Sequence, residues 1–144
     1  RFFFFFFDEA FAPQPAVIHI KDDIDISRGD FFVKMEHFPT VANEFQALVC
    51  WMDHKVLIPG NKYFLQHRSK VIKAVVKDIE YQLDVNTLEK TPITDSVKLN
   101  EVVRVTLKTA GPLVFDSFEK NKGTGSAILI DETSNATVAA VMIL

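Results

Sequence analysis

The residues from which this chain could build a site are four histidines, one cysteine and several acidic clusters. His19, His37, His54 and His67 stand at no metal-ligand spacing with one another, with the cysteine or with a carboxylate. Asp53 and His54 are neighbours, and in a strand adjacent side chains point to opposite faces, so they do not converge on one ion. Asp22, Asp23 and Asp25 are close enough to suggest a cation loop, but the glycine and glutamate spacing of a calcium loop is missing. They read as a solvated acidic loop. Serines and carboxylates abound, yet no G-x-S-x-G elbow frames a nucleophile. The expectation is therefore no catalytic residue and no metal ligand.

Nucleotide motifs fare no better. The segment Lys122-Gly123-Thr124-Gly125-Ser126 has the composition of a phosphate cradle, but a P-loop places its lysine after the glycines and opens a helix. Here the lysine comes first and a strand-like run follows, so a hairpin-forming glycine turn is expected. Asn121-Lys122 and Asn61-Lys62 begin like a guanine-reading N-K-x-D motif, but the fourth positions are Thr124 and Phe64. No cofactor-binding residue is expected. Asn135-Ala136-Thr137 is formally a glycosylation sequon without a secretory signal beside it. Cys50 lies in an apolar strand-like run and is expected to be a small buried hydrophobe. One cysteine allows no disulfide within the chain, which fits a reducing cytoplasm.

The 144 residues, 48% of them hydrophobic, suffice for one good core and exclude a disordered protein. A net charge of −3 argues against a broad grip on phosphate backbones, so nucleic acid is not an expected partner. No run approaches the ~18 apolar residues of a transmembrane helix, and no membrane association is expected. The phenylalanines from Phe2 to Phe7 are too short a run for a signal or anchor and are followed at once by Asp8 and Glu9. Residues 1–7 are expected to be an artificial or disordered terminus.

The elements that must carry any site are strands. Val103, Val105 and Leu107 alternate with Arg104, Thr106 and Lys108, the pattern of a half-buried strand. Residues 126–130 and 136–144 are nearly continuous apolar runs, suited to strands covered on both sides. Upstream, FQALVCWM from Phe45, YFLQHR from Tyr63 and the run from Val71 to Asp84 complete six strands, enough to close a small antiparallel barrel. The apolar positions of the last run change from even to odd, which predicts a bulge near Lys77 and Asp78. Pro59-Gly60 fits the centre of a type II turn. Residues 85–98 are expected to be a surface excursion, and 37–43 a linker. Before the linker, residues 16–21 and 31–35 are strand candidates, but two strands alone make a marginal hairpin with open edges on both sides. Those edges give the segment a route to self-association.

Taken in order, DDIDISRGD (22–30), FPTVANEFQALVCWMD (38–53), PGNKYFLQH (59–67), IEYQLDVNTLEK (79–90), VKLNEVVRVTLKTAGPLVFD (97–116) and TGSAILIDETSNATV (124–138) closely resemble the large, GTPase-type subunit of bacterial heterodimeric sulfate adenylyltransferase. Members of that family resemble elongation factor Tu, with a nucleotide-binding domain followed by two β-barrels. The resemblance implies an all-β chain in which 8–36 is the C-terminal remnant of the second barrel and 44–144 is a six-stranded Greek-key third barrel. It further implies that GTP and Mg²⁺ bind upstream, on the chain's own GTPase domain. The small subunit of the assembly would make adenosine 5′-phosphosulfate from ATP and sulfate. Two other functions compete: the tRNA-contacting barrel of a translation factor, and a free-standing barrel with a small-molecule pocket in its mouth.

Overall fold

The computed structural model describes residues 8–93 and 96–144, and the run Phe2 to Phe7 lies outside them. Its strands are β1 (Thr40–Trp51), β2 (Lys62–His67), β3 (Lys70–Leu83), β4 (Lys90–Thr91), β5 (Val102–Phe115), β6 (Ser126–Ile130) and β7 (Thr137–Ile143). They hydrogen-bond in the order β2-β6-β7-β1-β5-β3, all antiparallel, and a β2–β3 ladder closes the ring. The result is a six-stranded antiparallel barrel, with the two-residue β4 appended to β3.

Alternation decides what fills it. On β5, Val103, Val105 and Leu107 are fully buried, while Arg104, Thr106 and Lys108 point outward. Phe45, Ala47, Val49 and Trp51 do the same on β1. Phe45 packs on Phe115 at 4.9 Å between ring centroids, and Trp51 meets the edge of Tyr63 at 5.7 Å. Each fully buried Val or Leu contributes roughly 1.5–3 kcal/mol, so a shared interior of this size drives closure.

The bulge expected near Lys77 and Asp78 is present, since the β3–β5 register shifts between Val76 and Asp78. A second shift follows between Ile79 and Tyr81. The first turns Ile79 inward opposite Val105, and the second turns Tyr81 outward opposite Arg104. The Pro59-Gly60 turn also forms: Gly60 has φ of 90° and the Asn61 amide donates to the Ile58 carbonyl at 3.3 Å.

Five expectations are corrected. Residues 16–21 and 31–35 form no ladder, because a lone hairpin leaves both outer edges unpaired and nothing among the described residues supplies a third strand. The linker is shorter than 37–43, since β1 begins at Thr40, where Thr40, Val41 and Ala42 pair with Phe115, Val114 and Leu113. Cys50 is half-buried on the outside of the barrel, because Val49 and Trp51 take the inward positions on either side of it. The run 126–130 buries one face, not two: Ala127 and Leu129 go inside, while Ile128 and Ile130 stay half-exposed. In 136–144 Ala139, Val141 and Ile143 go inside with Val138 buried beside them, while Ala140 and Met142 stay half-exposed. Finally, the glycine-rich segment makes no hairpin. It leads from β5 to β6, which are not neighbours, and crosses one end of the barrel.

The excursion from 85 to 98 is exposed for most of its length but returns to the core at Val97, which is fully buried and bridges Leu57.

Candidate functional site

The barrel interior is occupied by its own side chains: Trp51, Leu65, Leu107, Leu129 and Ile143 are all essentially inaccessible. The side chains leave no room for a ligand inside the barrel, and a shallower pocket of about 280 Å³ lies beside Phe45, Phe115 and Leu144. The histidines stay apart. His19, His37 and His54 are exposed, while His67 is buried at the end of β2. Among the described residues no three His, Cys, Asp or Glu side chains come together as a metal-binding group.

His67 is structural. Its Nε2 lies 2.7 Å from the Thr124 carbonyl, so the ring carries its proton there and donates it. Phe31 stacks on the same ring at 5.9 Å, and Nδ1 finds no partner among the described residues. Arg28 Nε donates to the Ser69 carbonyl at 2.7 Å, and Gly29 leaves just enough room for the Lys70 side chain. Residues 28–31 thus clip the upstream segment onto the β2–β3 hairpin.

The glycine-rich crossover spends its donors on itself. Asn121 Oδ1 accepts from the Gly123 and Thr124 amides at 3.0 and 3.4 Å, and the Gly125 amide donates to the Asn121 carbonyl at 2.7 Å. These amides are thereby engaged within the segment itself.

Two outward faces carry charge. On the first, Arg104 lies 3.1 Å from Glu80 Oε2 through Nε, and its terminal nitrogens reach Gln46 and Tyr81. The Nε contact is an ion pair whose angle does not make an aligned hydrogen bond. Lys90 sits over the Tyr81 ring at 4.9 Å. The Arg104 hydrogen bond, and then the charge of Lys90, hold the Tyr81 phenol below its ordinary value. This cluster ties β1, β5, β3 and β4 together.

The second face is a cleft of about 430 Å³ over β2, β3 and β5, with a mainly apolar floor and Lys62, Lys73 and Lys108 around it. Lys62 pairs with Val75 across one strand boundary, Val75 pairs with Lys108 across the next, and Lys108 pairs with Glu44. Lys77 forms an ion pair with Glu44 at 2.9 Å; that contact lowers the Glu44 carboxyl, with a smaller contribution from Lys108, and raises the Lys77 ammonium. Sequence reasoning missed this face. Its lysines lie far apart in the chain and become neighbours only through register, and outward parity on each strand was the one available signal.

The family description GTP-eEF1A C-terminal domain-like matches residues 44–144, most of the chain and nearly all of the barrel. The chain belongs to this family. Among curated relatives, the bifunctional enzyme CysN/CysC of Mycobacterium tuberculosis is 45% identical over 94% of this chain and 22% of its own length. Sulfate adenylyltransferase subunit 1 of Teredinibacter turnerae is 41% identical over 94% of this chain and 29% of its own length. The counterpart in Bacteroides fragilis is 38% identical over 95% of this chain, again with 29% of its length covered. The chain therefore spans between a fifth and a third of these relatives, and the match extends upstream of the barrel into residues 8–39. Among solved structures, Sup35 complexed with GDP superposes with a TM-score of 0.68 at 17% identity, covering 76% of this chain and 27% of that one. That likeness concerns the fold. No helix among the described residues is long and apolar enough to cross a membrane.

Proposed function

We propose that this chain is the C-terminal β-barrel part of the large subunit of a GTP-dependent sulfate adenylyltransferase, acting in the cytoplasm. The observation that carries this reading is the 94% coverage at 41–45% identity by relatives bearing sulfate-activation names, which includes residues upstream of the barrel. On this reading residues 44–144 are the third barrel domain, and 8–36 are the closing strands of a second barrel whose other strands lie upstream. That would explain why the segment is extended, apolar and unpaired. The barrel supports the GTPase domain and its assembly with the small catalytic subunit, which makes adenosine 5′-phosphosulfate and diphosphate from ATP and sulfate. GTP and Mg²⁺ belong to the upstream domain, because the one glycine-rich segment here has its amides engaged. The fragment itself contributes no catalytic group.

Two measurements on the chain test this. Titration calorimetry with GTP and with ATP should show no binding, and micromolar affinity for either would overturn the non-catalytic assignment. Joining the chain to the GTPase domain of a subunit 1 relative, in place of that protein's own barrel, should give a large subunit that co-purifies with the small subunit and supports GTP-stimulated sulfate adenylylation. A chimera that folds but gives no stimulation would count against it.

A further inference from the structure

The lysine-lined cleft has no part in the reading above, and a failed test of it would leave that reading standing. Across the sheet its residues form one row: Lys62 on β2, Val75 on β3, Lys108 on β5 and Glu44 on β1, with Glu132 lining the cleft at the other end. Lys73, two residues before Val75 on the same face of β3, adds a third ammonium. Lys62, Lys73 and Lys108 form no ion pair among the described residues, while Glu44 is taken by Lys77. Like charges gathered on adjacent strands repel and lower stability, so an anion placed among them relieves a cost the barrel otherwise bears. In a chain of net charge −3 this accumulation is local.

We propose that this cleft docks an acidic segment of a partner protein, with a carboxylate held among Lys62, Lys73 and Lys108 and a neighbouring apolar side chain resting on Val75 and Ala110. The floor is mainly apolar, which suits a side chain better than a sugar or a phosphate. At Val75, β3 is paired on both sides, with Lys62 of β2 and Lys108 of β5, so the backbone edge under the cleft is closed. Recognition therefore runs through side chains and not through addition of a strand.

The test is an amide-shift titration of the ¹⁵N-labelled chain with an acetylated peptide of alternating glutamate and leucine. Shifts should concentrate at Lys73, Val75 and Ala110, and affinity should fall several-fold between low and moderate salt. The double variant Lys62→Glu, Lys73→Glu should bind roughly tenfold more weakly with a thermal midpoint no lower than that of the wild type. Lys108→Ala, a milder change, should weaken binding in the same direction. Absent or scattered shifts would overturn the proposal. So would equal binding by the peptide with serine in place of leucine, or the same shifts produced as tightly by inorganic phosphate or an oligouridylate.

Discussion

A Cβ added at Gly125 would stand 2.4 Å from both the backbone nitrogen and the Cα of Phe118, a distance no real side chain tolerates. The two residues are held together by β7: the Phe118 amide donates to the Ile143 carbonyl at 2.7 Å, and the Ile143 amide donates to the Gly125 carbonyl at 2.8 Å. Because the obstacle is backbone, it cannot rotate away. Gly125→Ala should therefore destabilise the barrel by about 1–3 kcal/mol or more, the usual range for forced overpacking. Gly111→Ala is the control, since its Cβ would make only ordinary contact with Ile72 at 3.6 Å and its φ is not positive. It should be neutral or stabilising by up to about 1 kcal/mol, through the unfolded state. Urea denaturation of both variants checks this, and equal midpoints would show that the crossover yields more easily than its packing suggests.

Val103→Asp should abolish cooperative unfolding of the barrel. Val103 is wholly buried on β5, between β1 and β3, and an unpaired carboxylate there costs several kcal/mol, comparable to the stability of a small domain. Thermal circular dichroism reads the outcome. A transition near the wild-type temperature would mean that this face of β5 is not the inner one.

Hydrogen exchange should divide the chain sharply at its first strand. No backbone bond is donated by the amides of residues 17–20 or 31–34, whereas those of β5 lie in ladders with both β1 and β3. The amides of 103–107 should be protected by the global stability and those of the upstream segment hardly at all. Comparable protection in a demonstrated monomer would contradict the unpaired state of residues 8–36.

Acid should weaken the turns at Asp84 and Asp131. Asp84 is held below the usual carboxylate range by the amides of Asn86 and Thr87, and Asp131 by the amide and hydroxyl of Ser134. A depressed folded value means that the stabilisation is complete above the unfolded carboxylate value near ~3.9 and fades as pH falls through the folded one. The stability gap between the wild type and Asp131→Ala should thus be constant around neutral pH and close below about pH 4. A gap that persists unchanged in strong acid would assign the turn's strength to its backbone bonds.

How much of this was legible in the sequence depends on the range of the interaction. The faces of β5, the bulge after Val76 and the turn at Gly60 follow from patterns within a few residues, and all three form. The second shift, after Ile79, was hidden because Tyr81 reads as apolar yet points outward to meet Arg104 and Lys90. The crossover was misread as a hairpin because glycine turns look alike whether or not the strands they join are neighbours. Cys50 was misplaced for a different reason: its run is apolar on both faces, and parity was settled by Trp51, whose Nε1 reaches the Lys55 carbonyl at 2.8 Å from inside. The lysine cleft depended wholly on register between strands far apart in the chain.

Strand β7 lies between β6 and β1, so one of the first-made strands of the barrel pairs with the last. A ribosome delivers β1 long before Thr137–Ile143, at roughly 5 to 20 residues per second, so β1 waits on the order of ten seconds for that neighbour. Until β5 is made, Phe45, Val49 and Trp51 have no neighbouring strand, and from then until β7 they have a sheet on one side only. The barrel is thereby a fold whose completion is timed by translation, and a pause in decoding near its final strand would lengthen the period in which a nascent chain can be captured by a chaperone.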